Sequence, residues 1–193
     1  SGRRVEFETT TLRYLDELFS TAVRLTGSRA EAEDLVQEAV MRAWSNWHQF
    51  EPGTNARAWL YRILHNVFFN TRKSPRHAKE VQSPEEEGMD DVLLYHHLLR
   101  DGGWKDPTEL SPDRFEHMFG DEVKRALDRL PELYRFPLLL CDVEGLSYEE
   151  IGKILSLPGG TVRSRLFRAR AILQRDLVEY ARKEGIVGKG SPS

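Results

Sequence analysis

From Pro158 to Arg175 the chain carries five arginines and no acidic residue. Val162, Leu166, Ala169 and Ile172 recur there at helical spacing as an apolar stripe, which leaves Arg163, Ser164, Arg165, Phe167, Arg168 and Arg170 for the outer face. A guanidinium neutralises phosphate, and it matches the O6/N7 edge of guanine as a two-pronged donor. One good contact of that kind is worth about 1–3 kcal/mol of base discrimination. Just upstream, Ser147 and Glu150 have the spacing of a capping box, in which each side chain satisfies an orphan backbone donor at a helix start. The short helix that follows places Ile151, Ile154 and Leu155 inward, with small Gly152 where two helices cross closely. Ser156-Leu157-Pro158 then turns the chain. A short helix, a turn and a longer helix with a basic face form a helix-turn-helix suited to duplex DNA. A merely solvated surface helix carries the same charge; the helix lengths and the buried-small-buried order favour the DNA reading.

Other chemistries find little support in the residues. There is no phosphate-binding glycine loop, no H-E-x-x-H and no nucleophile elbow, and Gly159-Gly160-Thr161 lacks the lysine of a phosphate loop. No catalytic residue and no cofactor are therefore expected. The single cysteine, Cys141, excludes an internal disulfide framework and a multi-cysteine zinc site, and its apolar surroundings at 137–143 predict burial. His96 and His97 are adjacent and point apart on a helix, so no metal site is expected.

The elements that must position these residues read as helices almost throughout. Apolar spacing predicts a helix over 12–26 that ends at Gly27, with Ser28 and Glu31 as a second capping box. The next helix carries Leu35, Val36, Ala39, Val40, Ala43, Trp44 and Trp47. After a loop at His48 to Thr54, a third helix spans 55–73, with Trp59 inward like Trp44. A helix from Ser83 to Leu99 is predicted next, then helices over 123–130, 133–143, 148–155 and 161–183. No stretch of strand length alternates with period two. The expected fold class is all-α: two small helical bundles, 8–76 and 121–187, joined by a long acidic linker at 77–120.

The 193 residues sum to a formal charge of −3, which taken alone argues against a nucleic-acid binder. Divided, residues 1–76 carry 11 Lys+Arg against 9 Asp+Glu, 77–120 carry 4 against 11, and 121–193 carry 13 against 11. Two mildly basic bundles thus flank an acidic connector containing Glu85, Glu86, Glu87, Asp90 and Asp91. That connector is either a solvated tether or a mimic of nucleic-acid charge. No apolar run approaches the ~20 residues of a membrane span, and the opening residues do not read as a secretory signal. Membrane insertion is not expected.

Residues 34–72 and 123–170 resemble bacterial extracytoplasmic-function (ECF) sigma factors of the sigma-70 family. The shared strings include DLVQEAV, FEPGTNARAWLYRIL and LSYEEIGKILSLPGGTVRSRLFRAR. The resemblance implies a cytoplasmic factor that binds core RNA polymerase and directs promoter-specific initiation, reading the −35 box as duplex and the −10 element as melted single strand. It implies that Asp34, Leu35, Gln37 and Glu38 dock on the β′ clamp helices, with the β flap as a further contact. It implies that Phe50, Gly53, Asn55 and Asn66 accept flipped bases, while Arg57, Arg62, Asn70, Arg72 and Lys73 hold phosphates. In the back bundle it implies that Arg163, Ser164, Phe167 and Arg168 approach bases, and that Thr161 and Arg165 contact backbone or base edges, typically at a GGAA-type box. The loop and the tail at 177–182 are similar to the disulfide- or heat-stress subgroup, whose partners include zinc-binding anti-sigma factors. Gly152 and Gly159 depart from the family pattern and add backbone freedom at the turn. Read without the resemblance, the helix-turn-helix also suits a stand-alone regulator that binds duplex DNA by itself.

Overall fold

A computed structural model of the chain describes residues 2–72 and 112–185, the side chains of 112–120 and of residue 181 excepted. The expected helix from Ser83 to Leu99, the acidic cluster, the histidine pair and Lys73 lie outside the described residues. Every element among the described residues is helical.

The front bundle holds α1 (Gly2–Thr11), α2 (Leu15–Thr26), α3 (Arg29–Ser45) and α4 (Ala56–Arg72), with short 3-10 turns at Leu12–Tyr14 and Trp47–Gln49. The predicted helix over 12–26 therefore starts later, at Leu15. Leu12, one of its apolar positions, lies in the preceding turn and is exposed. Helix α1 was not visible in the periodicity, because its one large inward residue is Phe7, which packs edge-on against Trp44 and Trp47. Helix α2 ends at Gly27, whose left-handed φ of 70° lets its N–H reach the Val23 carbonyl at 2.8 Å. Only half of the predicted Ser28 box forms. Ser28 Oγ accepts from the Glu31 N–H, while the Glu31 carboxylate pairs with Arg72 instead. Leu35, Ala39 and Ala43 are buried along α3 as the apolar stripe predicts. Trp44 departs from that expectation: it is 40% exposed, and Trp47 takes the buried position.

The back bundle holds α5 (Pro112–Arg129), α6 (Glu132–Leu138), α7 (Tyr148–Leu155) and α8 (Gly159–Lys183). Helix α5 begins inside the stretch expected to be linker. The single helix expected over 133–143 is interrupted. Pro137 lies within α6, and the chain widens into a π-type turn over Leu139–Val143.

The two bundles dock. Phe136, Leu139, Leu140, Leu146 and Ile151 from the back share one apolar cluster with Leu18, Leu25, Leu60, Leu64 and Phe68 from the front. Phe136 meets His65 and Phe69 of α4 at ring distances of 5.3 and 6.4 Å. The Arg135 guanidinium crosses the seam and donates to the carbonyls of Leu25, Asp128 and Leu130 at 2.6–3.1 Å. These carbonyls lie at the ends of α2 and α5, where unpaired carbonyls carry partial negative charge. Burial holds Arg135 below the usual arginine range.

Candidate nucleic-acid interface

The helix-turn-helix is built from its caps outward. At the start of α7, Ser147 Oγ accepts the Glu150 N–H, and Glu150 Oε2 accepts the Ser147 N–H at 2.8 Å, so the capping box is complete. The Ser147 N–H and the Ser147 hydroxyl, which donates to the same oxygen at 2.9 Å, hold the Glu150 carboxyl below the usual carboxylate range. Ser156 closes the helix in the left-handed region at φ 55°. Gly152 owes its place to contact: a Cβ there would lie 3.0 Å from the Leu157 carbonyl oxygen and 3.8 Å from Val162. The turn can fold this tightly against α7 only because that carbon is missing. Gly159, by contrast, opens α8 with nothing near its absent side chain.

Along α8, Val162, Leu166 and Ala169 are fully buried and Arg163 and Ser164 are exposed. Thr161, Arg165, Phe167 and Arg168 are half-buried. Arg168 lies over the Tyr134 ring at 5.5 Å and donates to its hydroxyl. Arg170 is a correction to the expected outer face. Its guanidinium pairs with Asp142 at 2.5 and 3.0 Å, reaches Tyr148 Oη at 3.4 Å, and is raised further above its ordinary range by the Asp142 hydrogen bond. Arg170 thus straps the π-type turn to α8. Beside it, Arg170 Nη2 stands 3.5 Å from Cys141 Sγ. Cys141 is half-buried rather than buried, and burial pushes its thiol up to about 11.

The front loop and α4 divide the remaining candidates. Asn55 is the N-cap of α4, its Oδ1 accepting the Ala58 N–H at 3.0 Å. Gly53 has a φ of 88° with open space around it, so loop backbone can approach a ligand closely there. One face of Phe50 stacks on Trp47 at 4.7 Å, and Trp59 leans on the same ring. Arg62, Asn66 and Asn70 stand at i, i+4 and i+8 on α4 and are all exposed. Arg57 and Arg72 do not join that face. They flank the buried stripe of Tyr61, Leu64 and Phe68, toward the back bundle. Arg72 lies over Phe68 at 4.3 Å and pairs with Glu31 and with Glu132 of α6.

On α3, Asp34 and Gln37 are exposed and Glu38 is half-buried, paired with Arg42 at 2.6 Å. Leu35 is a core residue, 7% exposed, so the expected docking set loses its apolar member. The same helix exposes two other large apolar side chains. Met41 is 65% exposed and Trp44 40%, one and two helical turns beyond Gln37. The available signal was a methionine standing outside the 35–39–43 stripe.

A helical bundle with an exposed glycine loop, followed by a bundle with a helix-turn-helix and a cationic second helix, is the arrangement of a two-region promoter-recognition factor. Residues 11–77 match the family model of Sigma-70 region 2, and residues 120–173 match that of Sigma-70 region 4. The chain belongs to the ECF sigma factors of the sigma-70 family. It is 34% identical over 171 residues to the ECF RNA polymerase sigma factor SigE of Mycolicibacterium smegmatis, covering 88% of this chain and 60% of that one. It is 33% identical over 162 residues to the ECF sigma factor EcfG of Rhodopseudomonas palustris, covering 84% and 80%. Among solved structures, it matches the sigma factor RpoE of Bartonella quintana, crystallised with the anti-sigma factor NepR. That match has a TM-score of 0.63 at 31% identity and covers 89% of this chain and 96% of that one. Among the described residues no helix is long and apolar enough to cross a membrane.

Proposed function

We propose that the chain binds core RNA polymerase and confers promoter choice, reading the −35 box with the start of α8 and the melted −10 strand with the 50–55 loop and α4. The observation that carries this is the N-terminal part of α8, where Arg163 and Ser164 face solvent while Val162, Leu166 and Ala169 on the opposite side are fully buried. Phosphates hold such a helix in register, while its first exposed side chains reach base edges. Docking on the β′ clamp is assigned to Asp34, Gln37 and Glu38 with Met41 and Trp44 beside them, and the β flap is a second contact. Arg62, Asn66 and Asn70 form the phosphate and base-edge row of α4, with Phe50, Gly53 and Asn55 at its head.

The partner structure of the RpoE relative supports an anti-sigma factor as a regulator of this chain in the bacterial cytoplasm. Membership of the disulfide- or heat-stress subgroup, a GGAA-type −35 box and a zinc-binding anti-sigma factor belong to the same proposal. Transcription from a GGAA-containing promoter by core polymerase plus this protein is the test. Specific transcripts are expected. Failure to bind core polymerase overturns the reading.

A further inference from the structure

Three of the −10 candidates are paired within the chain: Arg72, with Glu31 and Glu132, and, closer to the loop, Arg57 and Asn55. Arg57 Nε donates to Glu17 Oε1 of α2 at 2.6 Å, and its Nη2 donates to the Glu144 carbonyl at 2.7 Å and to Glu144 Oε2 at 3.3 Å. Glu144 belongs to the back bundle, on the loop that leads into the helix-turn-helix. Its side chain is only 8% exposed, and its other oxygen accepts from Thr21 Oγ1 at 2.5 Å. Tyr61 closes the network by donating to Glu17 at 2.9 Å. Two residues before Arg57, Asn55 Nδ2 donates to Glu150 Oε1 at 3.0 Å, while its Oδ1 caps α4. The guanidinium that would take a phosphate is thus shared between Glu17 of the front bundle and the carbonyl and carboxylate of Glu144, and the amide that would read a base edge is taken by the Glu150 carboxylate.

We propose that the two bundles of the free chain are latched, with Glu144 and Glu150 standing where single-stranded nucleic acid would bind. The back bundle and the melted strand then compete for Arg57 and Asn55. The competition is one-sided, because Arg163 and Ser164 stay exposed in the latched form. The closed chain keeps its duplex-reading turn available and withholds part of its single-strand surface. A sequence of events follows. Duplex engagement precedes capture of unpaired bases, and whatever draws the bundles apart licenses the second step. Charge-assisted hydrogen bonds between half-buried partners are strong enough to hold such a state, and weak enough for a large partner surface to exchange them.

This proposal rests on the −10 role of the loop and α4, and its test separates the two. The variants are the double substitution Glu144→Gln with Glu150→Gln, and Thr21→Val, which removes one front-side donor to Glu144. Small-angle scattering reads the distance between bundles, and fluorescence anisotropy reads binding of a short mixed-sequence single-stranded DNA. The wild-type chain is expected to scatter as one closed particle. The double variant is expected to be more extended and to bind the single strand about tenfold more tightly. Thr21→Val is expected to shift both readings in the same direction by less. A wild-type chain already extended in solution overturns the latch. So does an extended variant with unchanged single-strand affinity, or a double variant and Thr21→Val that both stay closed. Transcription with core polymerase is measured in parallel on the same variants. Its absence in the wild type would sink the promoter-reading proposal, while the scattering result would still decide whether the bundles are latched.

Discussion

Arg163 and Arg170 stand seven residues apart on α8, so periodicity places them on one face. The structure separates them by what runs alongside. Arg163 is exposed near the start of the helix, whereas the 139–143 turn passes beside Arg170 and supplies Asp142. No pattern in the sequence announces that π-type turn, which is why the arginine run was legible but the division of roles within it was not. Two substitutions separate the roles. Arg163→Ala is expected to lower promoter use about tenfold with the urea midpoint unchanged, because it removes a base or phosphate contact from an exposed position. Arg170→Ala is expected to lower folding stability by about 2 kcal/mol in urea denaturation, because it leaves the half-buried Asp142 without its cation. Equal loss of stability in both variants would place both arginines in the scaffold. Leu35 and Trp44 show a related limit. Both fit the α3 apolar pattern, and only the packing of Phe7 and Trp47 decides which surface each reaches.

At the scale of the element, the α7 capping box was fully legible because it is local chemistry, set by two residues three apart. Ser147→Ala is expected to cost about 1 kcal/mol, measured by chemical denaturation. Its pH dependence follows from Glu150, whose folded pKa is depressed from 4.5 first by the Ser147 N–H, which alanine keeps, and next by the Ser147 hydroxyl, which alanine removes. Such a group contributes its full stability above the unfolded value and loses it as pH falls through the lowered folded value. Glu150 also faces Arg57, which stays protonated throughout, and neutral Asn55, while Glu149 and Lys153, paired with each other, feel its charge on the same helix. The difference between wild type and Ser147→Ala should therefore shrink below pH 4.5, and a constant difference down to pH 2 would contradict it. Gly152→Ala tests the adjacent feature. Alanine gains about 1 kcal/mol in helix propensity, but its Cβ would press on the Leu157 backbone oxygen at 3.0 Å. Because backbone cannot rotate aside as a side chain can, the net effect is expected to be destabilising, by about 1 kcal/mol. A stabilised variant would show that the turn is looser than drawn. The close approach expected at Gly152 is present as the contact with the Leu157 carbonyl oxygen.

For the whole molecule, helical class and two regions were written in the apolar periodicity, whereas the docking of one bundle on the other was not. Docking depends on Phe136, Arg135 and Glu144 meeting partners roughly 70 to 120 residues away, as Phe136 does with His65 and Phe69. Periodicity within a helix reports an inward face without naming what it faces. Phe136→Ala is expected to lower stability by about 3–4 kcal/mol and to split one thermal transition into two, because the side chain is fully buried against both bundles. A single, modestly lowered transition would mean that the bundles unfold together without it.

Cys141 carries a different consequence. A thiol raised to about 11 is ionised in only about one molecule in ten thousand at neutral pH. Peroxides and alkylating agents attack the thiolate, so this sulfur reacts far more slowly than a free cysteine while the 139–143 turn is in place. An oxidant signal reaching this factor is therefore not expected to pass through the Cys141 sulfur while that turn holds.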